Sequence, residues 1–418
     1  MTTFGITFLI VLLTATALRL WLGLRHIDYV RAHRGAVPSQ FSADVTLQAH
    51  QRAADYTADK TRLALVSILV DTALVLWLTF GGGVQLMYET GARFFEGEIA
   101  RGLVLIVLVS IVTTLVELPL GLYRTFRIEE RFGFNKMTVA LYWIDFAKTT
   151  ALAAAFGIPL AACVLWLMQV AGEYWWLYAW GVWVVFNLFM LAVYPTWIAP
   201  LFNRFSPMQD PDLKDRVEKL LARCGFRVKG LMVMDGSRRS SHGNAYFTGF
   251  GNSKRIIFFD TLLARLTPPE VEAVLAHELG HFRLRHVAKR IVWIFAGSLA
   301  FLWLLDYVMH QAWFYEGLNV DASSTAVALV LFFLVVPSFT FLFQPLLSSY
   351  SRKHEFEADR YAAQNASATD LASALVKLYK DNASTLTPDP VHSAFYDSHP
   401  PALARISRLQ GAGEGVAS

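Results

Sequence analysis

The chain has 418 residues and a net charge of +4 at neutral pH, and 55% of its residues are hydrophobic while only 17% are charged. Soluble domains average about 25% charged residues, so this composition excludes an ordinary soluble protein. The small positive charge does not require a nucleic-acid partner, because basic loops at an anionic membrane face account for it. The two distant cysteines, Cys163 and Cys224, exclude a disulfide framework and a thiolate metal site.

Seven apolar runs are long enough to cross a bilayer, which needs about 20 helical residues. They lie at 4–24, 63–80, 102–123, 149–170, 175–197, 291–311 and 325–345. The first run has no basic segment before it and no small-residue cleavage signal after it, so we interpret it as a retained span. The sequence predicts a mainly α membrane protein with seven transmembrane helices.

Basic residues are concentrated in alternate loops. Loops 25–62 and 124–136 carry six and four of them, whereas the loop between the second and third spans carries two and the loops at 171–174 and 312–324 carry none. Because basic loops remain in the cytoplasm, we expect an outside N-terminus and a cytoplasmic C-terminus.

Several charged residues lie within or near the spans: Asp71, Glu117, Asp145, Lys148 and Asp306. Charges that face lipid are costly, so they predict either a water-filled interior or helices packed by paired charges. Asp145 and Lys148 have the spacing of a pair on one helix face.

Two polar blocks divide the chain into four parts. Helices one to five occupy 1–200, the first polar block 201–287, helices six and seven 288–349, and the second polar block 350–418. Since two spans separate the polar blocks, both face the same side of the membrane and can build one site.

The first block has the pattern of a zincin α+β domain. Helical spacing covers 210–224, and strands are expected at 229–234, 245–250 and 255–259, with a turn at 251–253. Thr267 and Glu270 form a capping-box pattern around two prolines, which predicts the start of another helix.

That helix carries His-Glu-Leu-Gly-His at residues 277–281. Histidines four residues apart point to one side of a helix and can hold a single metal ion. We therefore predict a zinc ion bound by His277 and His281. Glu278 is the expected general base, because a glutamate between the ligands can take a proton from the metal-bound water.

Two histidines leave a catalytic zinc ion one protein ligand short. Glu355 and Asp359 are four residues apart and share a helix face, so we assign Glu355 to zinc and Asp359 to a hydrogen bond with a ligand imidazole. Glu357 is expected to project elsewhere. His286 falls off the ligand face as a surface or supporting residue, and His354 is expected to face away.

These parts predict peptide hydrolysis. Zinc would acidify its water and polarise the scissile carbonyl, and Glu278 would pass the proton to the leaving amine. The extended segment with Asn244, Ala245 and Tyr246 would pair with the substrate main chain if it forms a sheet edge. The alternative is an ordinary buried strand.

Further stretches make the chain resemble the type I CAAX prenyl endopeptidases, which are integral-membrane zinc metalloproteases. They include Arg-Ile-Glu-Glu-Arg-Phe-Gly-Phe-Asn at 127–135, Tyr194-Pro195, and the segments 198–203, 240–247, 259–263, 351–359 and 398–401. The resemblance implies seven helices around a barrel-like, water-filled chamber, with a gluzincin-type catalytic domain and zinc at the cytoplasmic side. It also implies Glu355 as the third ligand, and contacts of Asn244, His399 and Arg405 with the substrate main chain or the oxyanion.

The residues leave the substrate open. A composition rich in Ala, Leu and Arg is typical of a bacterial protein, which predicts the bacterial inner membrane, or the ER membrane if the source is eukaryotic. Bacteria generally lack prenylated CAAX proteins, so the substrate need not be prenylated. The expected partners are a prenylated C-terminal peptide or other membrane-associated peptides, together with lipids. A quality-control metalloprotease of the heat-shock type and a non-enzymatic scaffold with structural zinc are the alternatives.

Overall fold

The computed structural model describes residues 2–248 and 255–414. The turn expected at 251–253 lies outside the described residues. The N-terminal half consists of α1 (Thr3–Ala32), α2 (Leu47–Leu78), α3 (Gly83–Phe94), α4 (Glu98–Tyr123), α5 (Val139–Val170), α6 (Trp175–Val193) and α7 (Ala199–Phe202). π-Helical segments extend α4 over Arg124–Glu129 and α6 over Tyr194–Ile198.

The remainder alternates a small sheet with further helices. Its elements are β1 (Phe205–Pro207), α8 (Pro211–Arg223), β2 (Gly230–Met234), β3 (Ala245–Thr248), β4 (Arg255–Phe259), α9 (Asp260–Leu263), α10 (Pro268–Arg283), α11 (His286–Met309), α12 (Ala312–Gly317), α13 (Thr325–Thr340), α14 (Gln344–Asn365), α15 (Ala368–Asp381), α16 (Pro390–Tyr396) and α17 (Ala402–Glu414).

The prediction of seven transmembrane helices is confirmed. Within the described residues, the helices long and apolar enough to cross a membrane are Thr3–Ala32, Leu47–Leu78, Glu98–Glu129, Val139–Val170, Gly172–Phe202, His286–Met309 and Thr325–Asn365. Several have more than 30 residues, or over about 45 Å at 1.5 Å per residue, so they extend beyond a hydrocarbon core of about 30 Å.

The spans enclose an open interior. In the most apolar part of Glu98–Glu129 and of Gly172–Phe202 only 6% of residues are buried, against 50% in Thr325–Asn365. A helix in a closed bundle buries the stripe that faces its neighbours. Burial this low agrees with an open interior such as the expected chamber.

The small sheet has the strand order β1-β2-β4-β3. β2 and β4 pair in parallel, and the outer strands are antiparallel to their neighbours. Ile256 and Phe258 of β4 are buried in one core with Leu220 of α8 and Leu275 of α10. This core fixes the sheet against the helix that carries the His-Glu-Leu-Gly-His motif.

Two local features fix the position of α10. At its start the Thr267 amide donates to the Glu270 carboxylate over 2.7 Å, as the capping-box pattern predicts. Near its end Gly280 allows a close approach to α14, because a Cβ there would lie 3.0 Å from the Cα of Ala358. The two helices therefore meet beside the motif.

The expected pairing of Asp145 with Lys148 is wrong. Asp145 accepts two hydrogen bonds from Arg239, at 2.8 and 3.0 Å, while the Lys148 ammonium donates to the Leu201 carbonyl at 2.7 Å. The fork of a guanidinium matches both carboxylate oxygens, which a lysine three residues along the same helix cannot do.

Candidate metal centre

The two motif histidines face each other on α10. Their Nε2 atoms are 3.2 Å apart, and their rings are nearly perpendicular, at 81°. His277 is buried and His281 is partly buried. Two neutral imidazoles repel each other when their unprotonated nitrogens are this close, unless a proton or a cation lies between them.

Glu355 on α14 completes a three-residue cluster. One carboxylate oxygen lies 3.5 Å from His277 Nε2 and the other 3.4 Å from His281 Nε2. A tetrahedral zinc ion with bonds of 2.0–2.2 Å places its ligand atoms about 3.3–3.6 Å apart. The observed separations of 3.2, 3.4 and 3.5 Å therefore fit three corners of such a site.

The electrostatics of the cluster also fit a cation. Oε2 of Glu355 is buried and has no hydrogen-bond partner among the described residues, and an orphaned carboxylate oxygen is costly unless a cation neutralises it. Burial disfavours charge on His277, but the nearby carboxylates of Asp359 and Glu355 outweigh it and raise the pKa of the imidazole to about 9. The cluster thus attracts positive charge strongly.

Asp359 lies one helical turn beyond Glu355 and contacts the far side of His277, with Oδ1 at 2.9 Å from Nδ1. Arg405 of α17 donates two hydrogen bonds to the same carboxylate, from Nε at 2.8 Å and from Nη2 at 2.5 Å. Arg405 is buried, and these bonds raise its pKa against the opposing effect of burial. Its nitrogens are thus largely committed to Asp359 rather than to the open side of the site.

Glu278 and His399 are available to a substrate. Glu278 is partly exposed. His399 has a side chain that is 62% exposed, and its Nε2 lies 3.5 Å from Glu355 Oε2. Its Nδ1 lies 3.0 Å from the Ser398 hydroxyl, which fixes the ring. One imidazole nitrogen of His399 therefore remains beside the cluster.

β3 is an edge strand of the sheet. Ala245 and Tyr246 pair with Phe258 and Ile257 of β4 on one side, and both are partly exposed. Asn244 precedes the strand and is exposed, with its side-chain oxygen accepting from the Ala245 amide at 2.8 Å. The edge position leaves a row of main-chain groups for an extended chain to pair with.

A second polar cluster supports the first. His281 Nδ1 lies 3.0 Å from His286 Nδ1, whose Nε2 lies 2.9 Å from Glu357. His286 is buried with its ring stacked on buried His354 at 4.0 Å. Glu357 and His354 thus contact His286 and not the three candidate ligands, and no sequence pattern predicted this second cluster.

The reason is a break in the helix. Arg285 has φ of +56° and separates α10 from α11, so His286 does not continue the helical spacing of His281 but turns back to it. An arginine in the left-handed region has no strong sequence signal, since glycine and asparagine are the usual residues there. Spacing along one helix could not have found this contact.

Comparison with known families covers almost the whole chain. Residues 26–204 match the family model described as CAAX prenyl protease N-terminal, five membrane helices. Residues 207–412 match the model of peptidase family M48.

Individual relatives match over most of their length as well. A CAAX prenyl protease 1 homolog of Arabidopsis thaliana is 34% identical over 389 residues, which cover 90% of each chain. The Homo sapiens homolog is 30% identical and covers 90% of this chain and 88% of its own. The crystal structure of S. mikatae Ste24p superposes with a TM-score of 0.92 at 28% identity, covering 98% of this chain and 99% of that one.

Proposed function

This chain belongs to peptidase family M48, among the CAAX prenyl protease 1 homologues, and we propose that its metal is one zinc ion held by His277, His281 and Glu355. It is a membrane metalloendopeptidase. The observation that carries the zinc proposal is the triangle of ligand atoms with edges of 3.2, 3.4 and 3.5 Å around a buried, unpartnered carboxylate oxygen.

When bound there, zinc would supply a Lewis acid and an acidified water at neutral pH. Glu278 follows His277 directly and is partly exposed, so its carboxylate can accept a proton at the open side of the site. It then returns that proton to the leaving amine. His399 is the group best placed to donate to the substrate oxygen that becomes negative.

The remaining side chains position the ligands. Asp359 accepts from Nδ1 of His277, which directs Nε2 toward the metal, and Arg405 holds Asp359 in place. The resemblance to the CAAX prenyl endopeptidases implied contact of Arg405 with substrate. Its burial and its two bonds to Asp359 favour a positioning role instead.

The substrate is a peptide or protein in or at the membrane. We propose that its main chain adds to the edge of β3 beside Asn244, Ala245 and Tyr246, since an exposed edge strand offers unpaired main-chain groups. A C-terminal prenylated peptide is the substrate class that the names of the relatives suggest. We propose a cytoplasmic site, from the basic loops at 25–62 and 124–136, in the bacterial inner membrane.

The test is Glu278→Gln in the full-length, detergent-solubilised protein. We expect cleavage of a farnesylated reporter peptide to fall by at least about a thousandfold, because the variant cannot accept the proton, while elemental analysis still finds one zinc per chain. Glu272→Gln on the same helix is the matched control, since Glu272 pairs with Arg216 and Arg223 and with none of the proposed metal ligands. Unchanged cleavage in Glu278→Gln, or no zinc in the wild type, would refute the assignment.

A further inference from the structure

A polar cavity adjoins the strand proposed to hold substrate. It has a volume of about 590 Å³, and its lining includes Lys60, Arg239, Asn244 and Asn382. An adjoining cavity of about 660 Å³ shares Lys60 and Arg239 with it. Volumes of this size are typical of small-ligand sites, and apart from Asn244 no lining residue has a role in the proposed mechanism.

Lys60 on α2 is the unusual member of this lining. Its ammonium lies 4.6 Å from the centroid of the Tyr56 ring. It makes no hydrogen bond or ion pair with any of the residues 2–248 and 255–414. Glu129 acts on Lys60 electrostatically but only at longer range than an ion pair, so the ammonium can serve as a counter-ion for an anionic ligand at the cavity wall.

The other charges around the cavities are already neutralised. Arg239 forms its bidentate pair with Asp145. Glu129 accepts from the Tyr56 hydroxyl at 2.6 Å and lies 3.5 Å from Nε2 of His242, and Arg124 is 4.0 Å away from it. Three permanent cations therefore face two carboxylates, which leaves one positive charge in excess among Lys60 and Arg124 beside Glu129.

Neutral donors lie on the same wall. The Asn382 side-chain oxygen accepts from the Gly243 amide at 3.3 Å and lies 3.2 Å from His242 Nδ1. This leaves the Asn382 amide nitrogen and the Ser384 hydroxyl without a partner among the described residues. One ammonium with two neutral donors is a donor set that suits a carboxylate.

We propose that this cavity binds the free C-terminal carboxylate of the peptide substrate, with Lys60 as its counter-ion. The inference rests on the proposed function, because it needs a peptide that lies along β3 past Asn244. A peptide has one C-terminal carboxylate, so anchoring it would select bonds at a fixed distance from the chain end. The zinc site alone has no such means of measuring distance.

The test measures binding and does not depend on cleavage. Two fluorescent peptides ending in farnesylated Cys-Val-Ile-Met, one with a free carboxylate and one with a C-terminal amide, are titrated into full-length, zinc-loaded Glu278→Gln protein. We expect the acid to bind about tenfold more tightly than the amide. Adding Lys60→Met should lower the affinity for the acid peptide to that for the amide peptide and leave the affinity for the amide unchanged. Lys60→Arg should retain most of the preference for the acid.

Lys214→Met is the matched control, since Lys214 is an exposed lysine on α8 near Glu218, and it should leave the preference intact. Equal affinities of acid and amide, a preference that survives Lys60→Met, or failure of both peptides to bind would overturn the proposal. Zinc content of each variant confirms that the site has folded.

Two further measurements separate the possible causes. If the acid is preferred in binding but the wild type cleaves neither peptide, the proposed function fails and carboxylate recognition stands. A lipid phosphate has similar chemistry. If short-chain phosphatidylglycerol raises the melting temperature of the protein but not of Lys60→Met, and acid and amide bind equally, the site binds lipid and the proposal is wrong.

Discussion

His286 links the metal centre to the start of the sixth span. Its Nδ1 lies 3.0 Å from Nδ1 of His281, and its Nε2 lies 2.9 Å from Glu357. If His281 binds zinc through Nε2, its Nδ1 carries the proton and donates to His286, which in turn donates to Glu357. Such a chain fixes the tautomer and the ring orientation of the ligand.

We therefore expect His286→Ala to weaken zinc binding by about 10–100-fold, measured by competition with a chromophoric chelator. His286→Asn, which can still accept a hydrogen bond, should recover part of the loss. His310→Ala, at the exposed end of α11, is the control. An unchanged zinc affinity in His286→Ala would show that the contact has no role in holding the ligand.

The contrast between His286 and Glu355 shows what sequence can supply at this scale. Glu355 and Asp359 were identified because helical spacing is local, and the structure brings both to His277. The partners of His286 and Asp145 depend on a left-handed Arg285 or on residues distant in the chain, such as Arg239, 94 positions from Asp145. No local pattern encodes those contacts.

The packing of α10 on α14 determines whether the ligands meet at all. Gly280 faces Ala358 and Tyr361, and a Cβ there would lie 3.0–3.2 Å from atoms of both residues, including the Ala358 backbone. Backbone cannot move aside as a flexible side chain can, so the helices would have to separate.

We expect Gly280→Ala to destabilise the protein by about 1–3 kcal/mol and to weaken zinc binding, because α14 carries Glu355. Gly297→Ala on α11 is the matched control, since an added Cβ there meets nothing within 4 Å and alanine favours a helix. Thermal unfolding and zinc titration of both variants test this. Equal stability and zinc affinity of the two variants would mean that α10 and α14 can accommodate an added Cβ.

Among whole elements, the spans and the capped α10 were predictable and the sheet order was not. Hydropathy and helix capping depend on residues close together in the sequence, and the seven spans predicted from them are confirmed. The order β1-β2-β4-β3 joins strands across a helix and a long loop, which only tertiary packing decides.

At the scale of the molecule, the proposed metal site draws on two segments that are far apart in the chain. His277 and Glu355 belong to different polar blocks with two spans between them, so zinc bound as proposed would stabilise their association by mass action. Free zinc at a hundredfold excess over its dissociation constant contributes about 2.7 kcal/mol.

Removal of zinc with a chelator should therefore lower the apparent melting temperature by several degrees, and re-addition should restore it. Glu278→Gln should show the same shift as the wild type, whereas Glu355→Gln should show little, because it lacks a ligand. A melting temperature that does not respond to chelation would contradict a bridging metal.

The family match and the full set of seven spans set aside two alternatives. A scaffold with structural zinc does not agree with membership of a peptidase family, and a heat-shock protease with fewer spans does not agree with the seven helices. The prenylated or unprenylated nature of the substrate stays a prediction that the peptide titrations address.

The break at Arg285 also sets the depth of the chemistry. His281 lies five residues before the first residue of the sixth span, and Glu355 lies on the continuous extension of the seventh. At about 1.5 Å per helical residue, five residues correspond to about 8 Å, so the proposed metal site lies next to the start of the sixth span. We therefore expect the scissile bond of a substrate to lie close to the bilayer surface when it is cut.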